Sequence, residues 1–273
     1  MISIPNIEYA IIGGSSTFSL DFPEIFQSEK LKIIEKNITF RTPFGTSPSF
    51  KIFSLYNKKI ITCKMHGWRS GTTRGTASQQ IFWVFKEAGV KTIFTEGGVG
   101  SINTNLNPRD IVIPHDYIDF SERRTTSLTD DYLLIMRDPF CSILRDTLIN
   151  AVKYFLPERN LSTACIYCNT DGRHFESRAE VKMIENWGAS VIGQSICPEV
   201  YLAREIDACY AGIYMVVNYA EGIIKDWEYK ELKDIFLNEG KNIAIIILKA
   251  IENLFSLKRT CKCNELRRIT LLK

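Results

Sequence analysis

Residues 169–199 read N-T-D-G-R-H-F-E-S-R-A-E-V-K-M-I-E-N-W-G-A-S-V-I-G-Q-S-I-C-P-E. The stretch follows a strand-like run, T-A-C-I-Y-C, and turns at Asp171 and Gly172. It then passes Phe175 and Glu176, continues as an amphipathic segment, and returns through a short apolar run at 190–193. Strand, helix and strand in that order is the repeating unit of an α/β sheet. The same layout can bring an aromatic face, a carboxylate and the Ser195 hydroxyl to one pocket. A flat, hydrogen-bonding ligand would suit it.

The alternation extends both ways. An apolar run ending at Ile11 and Ile12 breaks at Gly13-Gly14-Ser15-Ser16-Thr17, and residues 38–63 read as alternating strands around a Thr42-Pro43-Phe44-Gly45 turn. The last of these runs opens onto Met65-His66-Gly67-Trp68-Arg69 and a Gly/Thr/Ser-rich loop to Ser78. A helix is expected over 79–89, with Ile81, Trp83, Val84 and Phe85 inside and Gly89 at its end. A buried strand, V-K-T-I-F-T, follows and is expected to turn at Glu96-Gly97-Gly98-Val99-Gly100-Ser101.

Further on come the strand I-V-I-P-H-D-Y-I-D-F, a helix over 142–155, a helix over 199–210 and the strand G-I-Y-M-V-V. That strand exits at Asn218-Tyr219-Ala220, and 225–257 is helical in pattern, with Leu232 and Phe236 read as core residues of an amphipathic helix. Without a repeat, linker or composition break, one domain is expected over 1–257, followed by a basic tail over 258–273.

Composition narrows the partners. With 273 residues, 45% apolar and 24% charged, the chain has the balance of a globular protein with a sizeable core. A net charge of +3, evenly spread, argues against nucleic acid or a membrane surface as partner. No basic start with an apolar run and cleavage site opens the sequence, and no apolar run reaches spanning length, so a cytoplasmic location is expected.

Six of the eight cysteines sit in apolar or mixed segments, where a buried free thiol is the simplest reading. Cys261 and Cys263 differ: they form a C-K-C pair in the basic tail, with no second His/Cys cluster nearby along the chain to complete a zinc site. No metal ligand set is therefore expected, while a redox-active or disulfide-forming tail stays open.

Gly13 to Thr17, a Gly/Ser/Thr turn after a strand, exposes N–H groups and hydroxyls suited to an anion such as phosphate. It lacks the Lys of a P-loop and the three-Gly spacing of a dinucleotide fingerprint, which removes support for ATP and NAD. His66, one of three histidines, stands at a strand-to-loop exit where a site role competes with a capping one.

Seven motifs then fall in one order: G-G-S at 13–15, H-G at 66–67, G-x-G-S at 98–101, D-I-V-I-P-x-D-Y-I-D at 110–119, G-x-x-F-E-S-R-A-E at 172–180, W-G-A-x-V-I-G-x-S-x-x-P-E-V at 187–200 and V-V-N-Y at 216–219. Together they resemble the trimeric purine nucleoside phosphorylase and methylthioadenosine phosphorylase family over nearly all of 8–255. The resemblance implies a phosphorylase-like three-layer α/β fold, a central twisted mixed sheet flanked by helices, assembled as a homotrimer or homohexamer. It also implies phosphate attack at the anomeric carbon of a purine nucleoside, with no metal or organic cofactor.

By the same resemblance Ser15, His66, Gly98 and Ser195 face phosphate, with the Gly97-Gly98 turn along phosphate and sugar. Phe175 packs on the purine, Gln194 stands beneath the ribose, and Glu176 and Asn218 read the base. The F-E pair resembles the 6-oxopurine enzymes, and donor inventory agrees: an Asn amide matches one acceptor and one donor, whereas an Asp would match the two donors of a 6-aminopurine. The family's methylthioadenosine branch has D-Y-D where this chain reads Asn218-Tyr219-Ala220.

Three departures stand out. Met65 replaces a phosphate-binding Arg, Gln194 replaces a Met, and the loop after Gly67 lacks the family's H-x-I-x-P pattern. Lys64 should point away on its strand, whereas Arg69 or Arg74 could reach back. The alternative to turnover is a catalytically impaired member that binds a purine or serves as an oligomer subunit.

Overall fold

The computed structural model describes residues 3–26, 28–226 and 228–271; residues 1, 2, 27, 227, 272 and 273 lie outside the described set. In chain order the first strands are β1 (Tyr9–Ile12), β2 (Leu31–Ile38), β3 (Arg41–Thr42), β4 (Gly45–Thr46), β5 (Phe50–Leu55) and β6 (Lys58–Cys63). Helix α1 (Arg74–Ala88) leads to β7 (Thr92–Ser101), β8 (Ile111–Val112), β9 (Asp116–Phe120) and β10 (Tyr132–Leu134). After α2 (Ser142–Phe155) come β11 (Leu161–Ser162) and β12 (Ile166–Thr170), then α3 (Arg178–Asn186), β13 (Val191–Gly193) and α4 (Ile196–Glu205). The chain closes with β14 (Cys209–Tyr219), α5 (Tyr229–Leu254) and β15 (Arg267–Ile269).

Every residue of β14 is buried, the mark of a strand covered on both faces. It pairs in parallel with β7, which pairs in parallel with β1, and β1 with β6, so these four strands deliver their C-terminal ends to one edge. Antiparallel partners (β8 on β14, β13 on β7, β5 on β6, β2 on β5) make the eleven-stranded sheet mixed, and β12 and β9 extend it beyond β13.

On one face α1 and α4 bury Ile81, Phe82, Phe85, Val200 and Leu202; on the other α2 and α5 bury Leu144, Leu148, Ile243, Ile247 and Ile251. The three layers and central mixed sheet agree with the sequence expectation. Among the described residues no helix is long and apolar enough to cross a membrane.

Local chemistry sets the boundaries. Helix α1 starts at Arg74, five residues before the expected 79, because Thr73 Oγ1 accepts the Thr76 N–H at 3.1 Å; Gly89 ends it in the left-handed region at φ 74°. Helix α3 is opened by a capping box in which Ser177 and Glu180 bond each other's backbone. The edge strand β2 escapes a sequence reading because it is mostly exposed and its apolar alternation stops after Leu31 and Ile33.

One expectation is corrected. Residues 96–101 form the second half of β7, not a turn, with Gly98 admitting side chains that a larger residue would exclude. A Cβ on Gly98 would stand 2.9 Å from the Phe236 ring and 3.0 Å from Val217 Cγ1.

The tail does not hang free. Its β15 pairs antiparallel with β10, and Cys261 and Cys263 pack on the α2/α5 core beside Cys141 and Cys209. A reading along the chain finds no second cysteine cluster near the C-K-C pair; the fold brings one to it.

Candidate active site

The ends of β1, β6, β7, β12, β13 and β14 open on one cavity of about 330 Å³. Its walls include Ser15, His66, Gly97, Gly98, Phe175, Glu176, Gln194, Ser195 and Asn218, so every residue assigned to phosphate, sugar or base from sequence lies at this one place. Carboxyl ends of parallel strands are where α/β sheets hold ligands.

Two buried carboxylates shape the wall, and neither was assigned a role from sequence. Glu96, fully buried on β7, accepts the Gly14 N–H, the Ser16 N–H at 3.1 Å, the Thr17 N–H at 3.2 Å and the Thr17 hydroxyl at 2.7 Å. The turn after β1 wraps a carboxyl group of the protein itself, so the N–H groups of Gly14, Ser16 and Thr17 are not free for phosphate as the sequence suggested. The fit is close: a Cβ on Gly14 would come 2.1 Å from Glu96 O and 2.7 Å from His66 Nε2.

The second is Glu199 on α4. It holds His66 Nδ1 at 2.7 Å while its other oxygen accepts the Tyr210 hydroxyl at 2.8 Å. With Nδ1 fixed by a carboxylate, the ring orientation is set and Nε2 lies over Gly14. Met65 and His66 both occupy the left-handed region, at φ 51° and 54°, and the His66 N–H donates to Gly13 O at 2.9 Å, tying the two loops together.

Around Gly97 and Gly98 the hydroxyls gather. Ser15 Oγ accepts the Gly98 N–H at 3.0 Å, which leaves its own hydrogen to give. Ser195 Oγ lies 3.2 Å from Tyr167 Oη and 3.7 Å from where a Gly97 Cβ would be. Asn218 is paired in register with Gly100, and its Nδ2 would stand 3.5 Å from a Cβ there. Two residues of strand from Gly98 and three from Gly97, roughly 7–10 Å, therefore separate the hydroxyls from the amide.

Asn218 donates from Nδ2 to Tyr219 O at 2.7 Å, leaving Oδ1 and one N–H for a ligand. Glu176 is 92% buried rather than an exposed helix-start carboxylate, and its Oε1 accepts the Thr170 hydroxyl at 2.6 Å. Phe175, half-exposed, forms part of the cavity wall and is no core residue. Leu232 and Phe236 do more than the core role expected of them: both line the cavity while packing on the α2/α5 core.

Three cations lie close to Met65 along the chain: Lys64, Arg69 and Arg74. Lys64 points away, donating to Leu20 O at 2.7 Å. Arg69 is occupied by Gly67 O, Thr46 O and Gln80 Oε1 at 2.6–2.9 Å. Arg74 stacks 3.8 Å over the Trp68 ring and donates to Gln194 Oε1 at 3.1 Å. Burial, then the neighbouring Arg123, lowers its pKa to about 10, so it stays cationic at neutral pH. Among the described residues that line the cavity, Arg173 is the one Lys or Arg.

A cavity on the carboxyl edge of a doubly covered sheet, walled by hydroxyls, a carboxylate-held histidine and an aromatic–carboxylate pair, defines an α/β enzyme that takes a polar, partly aromatic ligand. The chain belongs to the Phosphorylase superfamily, whose family model matches residues 8–252. It is 30% identical over 270 residues to a probable 6-oxopurine nucleoside phosphorylase of Thermococcus kodakarensis, covering 94% of this chain and 96% of the relative.

A probable S-methyl-5′-thioinosine phosphorylase of Methanothermobacter thermautotrophicus is 28% identical over 260 residues, 93% of this chain and 87% of the relative. Among solved structures, a methylthioadenosine phosphorylase from an antarctic soil metagenomic library superposes with a TM-score of 0.82 at 22% identity, covering 96% of this chain and 91% of that one; this likeness is one of fold.

Proposed function

We propose that the chain is a pentosyltransferase that uses phosphate to cleave the N-glycosidic bond of a 6-oxopurine nucleoside, releasing free purine and pentose 1-phosphate. The observation that carries this reading is the order of groups along β7: hydroxyls of Ser15 and Ser195 at Gly97 and Gly98, and the Asn218 amide at Gly100. The roughly 7–10 Å between them suits a phosphate and ribose followed by the near edge of a purine.

Breaking the bond leaves positive charge on the sugar and negative charge on the base. Phosphate, held by Ser15, Ser195 and His66 alongside Gly98, meets the first. Asn218 Oδ1 accepts N7–H and its amide donates to O6, while the Glu176 carboxylate accepts N1–H and Phe175 covers the ring. These bonds strengthen as charge moves to the purine, which is what lowers the barrier. Fixing both substrates supplies up to roughly 7–11 kcal/mol more.

Leu232, Phe236 and Val217 give the wall an apolar section that accommodates a methylthio group, so methylthioinosine is a substrate alongside inosine. A non-catalytic member is disfavoured, because each group the chemistry needs has a counterpart among these residues. A homotrimer or homohexamer in the cytoplasm belongs to the same reading; the exposed Phe120–Trp187 pair, 5.3 Å between centroids, is a surface a neighbouring copy would cover. Light scattering on the purified chain checks the assembly.

The missing family Arg is replaced by Arg173, which lines the cavity, and by Arg74, which stands behind it against the lining residues Trp68 and Gln194. Arg74→Ala should raise the phosphate KM about ten- to a hundredfold, the worth of one charge-assisted bond, while hypoxanthine binding stays within about twofold. A phosphate KM that does not move assigns the cation elsewhere. The activity itself is tested by base release from inosine, guanosine and methylthioinosine against adenosine and methylthioadenosine; a clear adenosine preference contradicts the 6-oxopurine assignment.

A further inference from the structure

Outside the cavity, four cysteines from distant parts of the chain meet. Cys141 is the N-cap of α2, Cys209 opens β14, and Cys261 and Cys263 lie in the tail just before β15. Their sulfurs all lie within 4.8 Å of one another, and Cys209 Sγ is 3.3 Å from Cys261 Sγ. The two tail residues reach the cluster together because Lys262 between them faces solvent, placing positions i and i+2 on one side.

The dimensions discriminate between possible uses. A tetrahedral zinc with sulfur ligands at about 2.3 Å holds those sulfurs roughly 3.8 Å apart. Six mutual contacts of this size are a condition of such a shell, whereas two disulfides require closeness only within each pair.

The surrounding charge also favours thiolates. Buried Arg204 donates to Cys263 O at 3.1 Å and to Asp138 O, and among the described residues it has no ion-pair partner. A guanidinium bonded only to neutral carbonyls suits an anionic neighbour. The positive end of α2 lies at Cys141 as well.

We propose that Cys141, Cys209, Cys261 and Cys263 form a structural tetrathiolate zinc site that fastens the C-terminal segment to the sheet. Zinc binding releases the four thiol protons to solvent and involves no electron transfer. With four protein ligands the site has no open position, so its role is stability and not catalysis. It stands apart from the nucleoside cavity, which none of the four cysteines lines.

The full chain, expressed with zinc in the medium and purified without chelator, should carry about one zinc per chain by elemental analysis. Cobalt(II) added to the metal-free protein should give an intense thiolate-to-cobalt absorption that saturates near one equivalent. Cys261→Ser and Cys263→Ser should each lower zinc content at least about fivefold and weaken that absorption, with base release at low temperature within about twofold of the parent. Removing zinc from the parent should lower Tm by roughly 10 °C or more.

Zinc below about a tenth of an equivalent together with no cobalt absorption overturns the proposal. So does recovery of Cys141, Cys209, Cys261 and Cys263 as two disulfides in a non-reduced digest, or full zinc retention in both Ser variants. The cobalt titration uses the parent chain, so a variant that fails to fold does not shield the claim.

Discussion

Replacing Glu176 by Ala should lower kcat/KM for inosine about 10²- to 10³-fold while leaving the much slower reaction of adenosine no slower than before. A 6-oxopurine carries a hydrogen on N1, and the buried carboxylate is the group placed to accept it; charge-assisted bonds that tighten in the transition state have this magnitude. Adenine N1 carries no hydrogen, so the same carboxylate offers it nothing. Glu176 also accepts the Thr170 hydroxyl at 2.6 Å, and losing that bond alone disturbs the wall locally. Glu176→Gln separates the two: the amide keeps that bond and can donate to adenine N1, so the inosine-to-adenosine ratio should fall with Tm unchanged. Equal losses on both nucleosides would make Glu176 a structural residue only.

The second large effect is at Asn218. Asn218→Asp places two acceptor oxygens where O6 and N7–H must be matched, so the carboxylate keeps the N7–H bond and repels O6. Inosine phosphorolysis should drop about a hundredfold, and adenosine, whose 6-amino group donates, should gain about tenfold. The present amide is partly committed, donating to Tyr219 O at 2.7 Å, and an Asp cannot donate there. The readout is therefore the ratio of the two substrates, since a merely disturbed strand end would lower both together. A ratio unchanged within about threefold would show that this side chain does not read the base.

Much of the fold is legible in the chain because its helices and strands are strongly patterned. Helix α2 occupies the expected 142–155, and the run of buried strands around β14 announces a covered sheet. The misreadings have physical causes. Residues 96–101 look like a turn because glycines usually are, yet here Gly98 is what lets Phe236 and Val217 crowd the strand. Edge strand β2 carries apolar alternation only at Leu31 and Ile33, since little of it is buried.

For the site, order along the chain shows which residue types are present and hides what holds them. Glu96 and Glu199 stand in plain view in the sequence, but that one clamps the β1 turn and the other orients His66 depends on contacts 80 and 133 residues away in sequence. The cysteine cluster is the extreme case: Cys209 and Cys261 touch across 52 residues, and no spacing rule links them.

The central claim is that phosphate attacks the sugar of a bound 6-oxopurine nucleoside. Incubating the purified chain with inosine, with and without inorganic phosphate, and quantifying hypoxanthine and pentose 1-phosphate together tests it most directly. Hypoxanthine release is expected only when phosphate is present, with the two products formed in equal amounts. Purine release at the same rate without phosphate, or inosine binding with no release under either condition, would contradict it.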